Sequence, residues 1–259
     1  MKYPRTISES ALGRHIFIKK TVVRTRWSFR LAFLALLSLL LLLTGRFWLA
    51  TVAESLVHSS ELRPADAIIV ENLETEYLLF EQAGRIQRKY AVSRAIVPIL
   101  APASDLKHRA GSVPVGLADV MIRVAGIRNA ELVPVEPQEP ISLNAARQLR
   151  DYLESPSQRR GLESGDAEAR NPKLGTRNSA VDSESPRRPV RSVIVVTSGF
   201  RSERAFLIYT SVLQPTGVSV QVEPVFGPHH LEDWTRSLHG IEEVGLQFGK
   251  LWFYRIFVL

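Results

Sequence analysis

Three observations predict an α/β domain: a three-layer sandwich with a mainly parallel sheet, preceded by one N-terminal transmembrane helix. First, short apolar runs alternate with helical-period stretches in the order β-α-β-α-β-α-β-α-β-α. That order implies parallel strands joined by right-handed crossovers, with helices on both faces of the sheet. Second, the strongest runs, ADAIIV at 65–70 and VRSVIVVT at 190–197, contain nearly unbroken apolar stretches, as strands buried on both faces do. Third, residues 31–53 read LAFLALLSLLLLLTGRFWLATVA. A helix of about 20 apolar residues crosses a hydrocarbon core of ~30 Å.

Residues 31–45 are apolar but for Ser38 and Thr44, and the run resumes after Arg46. Near the far end of the span, Arg46 can extend its guanidinium to the interface. Trp27 and Trp48 stand at the two ends, as interfacial anchors do. A cleaved leader needs a shorter apolar core, although Ala50 to Ala53 weakly resembles a cleavage site. A buried core helix is the other reading, but residues 36–43 have no polar face to turn to water.

Charge points the same way. The net charge is +7. Lys2, Arg5, Arg14, Lys19, Lys20, Arg24, Arg26 and Arg30, against Glu9 alone, carry that whole excess, and the rest of the chain is balanced. The sequence therefore has a basic flank beside an apolar segment, and no nucleic-acid partner is expected. By the positive-inside rule residues 1–30 are a cytoplasmic tail, 31–53 the span, and 54–259 an extracytoplasmic domain. The lipid bilayer is then the first partner. There are no cysteines, which excludes disulfides, thiolate metal sites and a cysteine nucleophile.

Residues 54–64 read as a polar connector with a helical start. The strand at 65–70 is followed by a helical period over 75–90, and RAIVPIL at 94–100 is a strand whose Pro98 demands an edge or bulge. A helix over 108–125 starts late because of Pro114 and Gly116. A strand covers 130–135, and a helix covers 141–153 with Ser142 as its N-cap. Residues 154–189 are rich in Ser, Arg, Glu, Gly and Pro, and predict a disordered insertion. Beyond the strand at 190–197, a helix over 202–213, a strand over 218–222 and a long helix over 231–255 follow. The apolar end, 251–259, is too short to span a bilayer, and either packs on the sheet or lies on a membrane surface.

Sites in such folds lie beyond the carboxyl ends of strands, where strand order reverses. The stretches 71–76, 101–105, 136–144 and 198–204 are the ones to inspect. The last reads Thr197, Ser198, Gly199, Phe200, Arg201, Ser202, Glu203, Arg204. Hydroxyls, a helix N-terminus and two arginines suit a phosphate or carboxylate. Ordinary capping, with the arginines paired to acids, explains the same residues.

VIVVTSGFRSERA resembles the VTS-x-x-H-x-x-R-A strand–helix motif of the YdcF-like family, which includes SanA- and ElyC-type envelope proteins. ADAIIV resembles its ADAIIVLG strand, Ser142-Leu143-Asn144 the start of its S-x-N-T-x-E-N helix, and residues 234–255 its C-terminal helix. The resemblance covers residues 64–259 apart from the insertion. It implies a Rossmann-like domain and a role in cell-envelope biogenesis or barrier maintenance. It also implies motif positions at Asp66, Ser142, Asn144, Thr197, Ser198 and Arg204. With Glu71, Asn72 and Arg201, these make the candidate ligand-binding set for a phosphorylated or anionic envelope precursor. If the protein is an enzyme, it is a phosphate-directed hydrolase or transferase. No cofactor is assigned.

The departures favour a second reading, a catalytically inactive scaffold for envelope-assembly proteins. The Gly-rich turn after the first strand is replaced by Glu71-Asn72-Leu73-Glu74, which repels anions. Ala101 to Ser104 replaces a Ser-Gly turn. Ala145, Arg147 and Gln148 stand at Thr, Glu and Asn positions, and Arg201 replaces the motif His, the natural proton shuttle there. His229, His230, Glu232 and Asp233 do not complete a metal shell, so no metal is expected. Nor does the chain carry G-x-S-x-G, a P-loop or G-x-G-x-x-G.

Overall fold

The computed structural model describes residues 27–74, 76–100, 113–154 and 189–259. The basic tail up to residue 26, the 101–104 turn, the first residues of the helix expected over 108–125 and nearly all of the 154–189 insertion therefore lie outside the described residues. Two compact units divide the chain after Trp48.

The first helix, α1 (Trp27–Glu54), carries the apolar segment. Among the described residues no single helix is long and apolar enough to cross a membrane. The parts Phe29–Gly45 and Phe47–Glu54 of α1 have that length and composition only together.

The second unit is the predicted α/β sandwich. Its sheet has the order β3-β2-β1-β4-β5, every pair parallel: β1 (Ala67–Val70), β2 (Arg94–Leu100), β3 (Ala130–Val135), β4 (Ser192–Ser198) and β5 (Ser219–Val225). This is a Rossmann-like arrangement. Because side chains alternate along a strand, Ile68, Val70, Ile194 and Val196 face α2 (Tyr77–Tyr90) and α3 (Val113–Ala125). Ala67, Ile69, Val193 and Val195 face α4 (Ile141–Glu154) and α5 (Ser202–Leu213). Two separate cores result, one on each side.

Pro98 sits where its missing N–H does no harm. The Ala95 N–H donates to Asn129 O on the β3 side, so residue 98 faces the β1 side by alternation. Pairing with β1 has already ended at Ile69–Ile96. Strand β2 is internal, but its carboxyl half is not paired with β1.

Three expectations change. Helix α4 begins at Ile141, so Ser142 lies inside its first turn and is not the cap; the Glu139 carboxylate accepts from Ile141 N–H instead. The helix expected over 231–255 is divided into a 3₁₀ turn at Trp234–Arg236, helix α6 (Leu238–Phe253) and a wider turn at Tyr254–Val258. Ser237 causes the division: its backbone is extended, and its side chain caps α6 by accepting from Gly240 N–H. Finally, the polar connector is folded onto the domain. Ser60 N–H donates to Val222 O while the Ser60 hydroxyl accepts from Val222 N–H, both at 3.0 Å. The Arg63 N–H reaches the Gln221 side chain at 2.6 Å. The connector thereby covers part of the β5 edge, which would otherwise invite pairing with another chain.

Candidate functional site

Strand order reverses between β1 and β4, the neighbours at the centre of the sheet, so the crevice opens beyond Val70 and Ser198. Glu71 N–H donates to Val196 O and carries β1 one step further into it. Here the structure gathers most of the sequence-predicted set. The Thr197 hydroxyl donates to the Glu71 carboxylate, and Arg201 pairs with Glu74. Asn72, Thr197, Ser198 and Arg204 are all buried beside them.

Glu71 is 7% exposed. Burial pushes its carboxyl above the usual range, against the pull of the Thr197 hydroxyl and of Arg204 and Arg201. Burial also lowers the affinity of the Arg204 guanidinium for its proton, and Glu71 works against that effect. No carboxylate among the described residues lies within ion-pair distance of Arg204; its guanidinium lies over the Tyr254 ring, 5.8 Å from the centroid. The Tyr254 hydroxyl in turn faces Ser142 and the Leu143 backbone. Ser142 joins the site through that aromatic intermediary. Asn144 is turned to its own loop, where its side chain donates to Gln138 O at 2.9 Å.

Asp66 is elsewhere. It stands at the amino end of β1, where its Oδ2 accepts from Arg191 N–H, Ser192 N–H and the Ser192 hydroxyl. Burial opposes ionisation there, but these donors outweigh it and hold the carboxyl below its usual range. Its place in the motif reflects strand pairing, across the sheet from the crevice.

The α5 N-terminus is not free for an anion. Glu203 N–H donates to Leu56 O at 3.0 Å, Ser202 N–H to Gly199 O, and the Ser202 hydroxyl to Gly199 O while accepting from His58 N–H. His58 stacks on Phe206 with ring centroids 3.7 Å apart, and its Nδ1 lies 3.2 Å from the Glu203 carboxylate, which also accepts from Arg255. Leu56 of the connector takes the Glu203 donor and Gly199 takes both Ser202 donors, so none of these three is left for a phosphate.

Beside this cluster a small cleft runs between Ser198–Phe200 and Phe226–His229, with Glu76 and Glu243 in its wall. Burial, with Glu243 and Glu74 adding repulsion, pushes the Glu76 carboxyl upward against the pull of Arg201. Gly199 is required where the cleft narrows: a Cβ there would stand 2.3 Å from the Phe226 ring. His229 and His230 serve local structure. His230 N–H donates to Asp233, and His229 Nδ1 lies 3.4 Å from the Ser237 hydroxyl. Among the described residues no group of three or more His, Cys, Asp or Glu is arranged to hold a metal ion.

Glu76 belongs to the 71–76 stretch beyond the first strand. His58, Tyr209, Tyr254 and Glu243 had no local signal; they reach the site from the connector, mid-α5 and the last helix. The Tyr209 hydroxyl is fully buried with no partner, and burial, with the Glu71 charge, raises its pKa well above the ordinary value. Tyr209→Phe should therefore raise the unfolding free energy by about 1 kcal/mol, because an orphaned buried hydroxyl is removed. Urea melts of both proteins check this; a loss of stability would mean that the hydroxyl is bonded.

No family model, no curated protein and no solved structure matches this chain.

Proposed function

We propose that the chain is a membrane-anchored cell-envelope protein whose α/β domain acts as a non-catalytic scaffold or interaction module. On this reading the basic flank is cytoplasmic, the apolar segment anchors the protein in the inner membrane, and the domain faces outward. The order of basic flank, apolar segment and Rossmann-like domain supports the topology. The resemblance to the YdcF-like family supports the envelope role. One observation carries the absence of chemistry: the arginines at the strand-order reversal face carboxylates from the chain's own 71–74 turn. Arg201 is paired with Glu74, and Glu71 is buried near Arg204. The acidic cleft wall at Glu76 and Glu243 works against anions as well.

A specific observation favours a second reading, binding of a phosphorylated or anionic envelope precursor. Arg204 is 8% exposed and has no carboxylate within ion-pair reach among the described residues. Thermal melts of the detergent-purified full chain, with inorganic phosphate and with a nucleotide-sugar, separate the two. The scaffold reading expects no shift in Tm from either compound, and a shift in Glu74→Gln at most, where Arg201 is released. A shift in the native protein that Arg204→Gln abolishes would sink the scaffold reading and establish the second.

A further inference from the structure

Helix α6 divides into two unlike faces. Gly240, Val244, Gln247, Leu251 and, in the turn beyond, Tyr254 form a buried stripe. The other side keeps large apolar groups in the open: Leu246 is 57% exposed, Phe253 50%, Ile256 62% and Phe257 75%. A helical segment apolar on nearly all sides is ordinarily covered, by protein or by lipid.

We propose that this outward face of α6 and of the 254–258 turn lies in the headgroup layer of the same bilayer that residues 31–53 enter; the inference rests on the anchored reading above. Three observations name lipid as the occupant. First, Val244 and Leu251 share a buried cluster with Ala53 and Leu56, from the end of α1. Leu49, which opens the same unit, precedes Ala53 by four residues, about 6 Å of helix rise. The apolar segment thus ends beside α6. Second, the composition is interfacial. Trp252 is half exposed, the Arg255 guanidinium lies 5.9 Å from its ring centroid, and Lys250 precedes them. Aromatic and cationic residues populate the boundary between hydrocarbon and water. Third, residues 244–259 carry Lys250 and Arg255 and no acidic side chain, and the exposed Glu242 bounds this face at the amino end of α6.

The chain has no cysteine, so single labels report cleanly. In the full-length protein, Phe257→Cys, Leu40→Cys and Glu232→Cys would each carry an environment-sensitive fluorophore. The vesicles are phosphatidylglycerol and phosphatidylethanolamine with a brominated-lipid quencher. Leu40 reports the anchor, and the exposed Glu232 reports solvent. Quenching at Phe257 is expected to exceed that at Glu232 several-fold, and Ile256→Cys should repeat the result. Quenching at Leu40 with Phe257 no different from Glu232 would overturn the inference and leave the anchor standing. No quenching at Leu40 would remove the anchor, and the inference with it. Dipolar broadening between nitroxides at Phe257, without lipid quenching, would give the face to a second copy of the chain and also overturn it.

Discussion

Leu56→Ala is expected to lower the unfolding free energy of the full chain by about 2–5 kcal/mol, the usual cost of emptying a well-packed leucine site. Leu56 is 1% exposed and packs with Ala53, Phe200, Trp234, Val244 and Leu251. It joins the end of α1, the turn after β4 and helix α6. Its carbonyl also accepts from Glu203 N–H, so a collapse around the cavity would disturb the α5 N-terminus. Urea melts in detergent measure the loss. A change below about 1 kcal/mol would mean that the site relaxes freely, and that the connector is an appendage after all.

Glu71→Gln is expected to stabilise the protein at neutral pH by roughly 1–3 kcal/mol, the ordinary cost of a poorly compensated buried polar group. The sign follows from proton linkage. The folded-state pKa of Glu71 lies above its unfolded value, chiefly through burial. Between those two values the native state binds more protons than the unfolded state, so stability falls as pH rises through that window. Below the unfolded pKa both states are protonated and the penalty vanishes. The variant should therefore match the native protein in acid and exceed it at neutral pH. The Thr197 hydroxyl can donate to the new amide oxygen as it does to the carboxylate. Stability curves at a series of pH values test this. A neutral-pH loss in Glu71→Gln would show that Arg204 depends on that charge, and would refute the assignment of Glu71 as a poorly compensated acid.

The sheet was legible because its signal is local. β2 and β3 match their expected limits, and β4 and β5 shift by one to three residues. Helix α5 also runs from Ser202 to Leu213 as expected. A buried parallel strand announces itself through its own apolar run. The residues around the crevice were legible for the same reason: Glu71 and Asn72 follow β1, Thr197 and Ser198 close β4, and Arg201 and Arg204 come just after it. What was not legible depends on distant partners. Nothing in residues 54–64 says that Leu56 and His58 will cover a helix start nearly 150 residues later. The break in the last helix leaves no sequence signal, because Leu238, Ile241 and Val244 continue the apolar period of Trp234 across Ser237. Asp66 was placed by its motif neighbours, whereas its three hydrogen bonds show a pairing role at the opposite end of the strand.

That Asp66 contact has a consequence for assembly of the sheet. Strands β1 and β4 are adjacent in space but 126 residues apart in sequence, the slow kind of contact for a folding chain. Both are apolar on each side, so a slip of one position would exchange the two cores without exposing a single charge. A carboxylate that fits only the Arg191–Ser192 backbone acts as an index pin: it admits one alignment of the central pair and makes every offset pairing forfeit three hydrogen bonds.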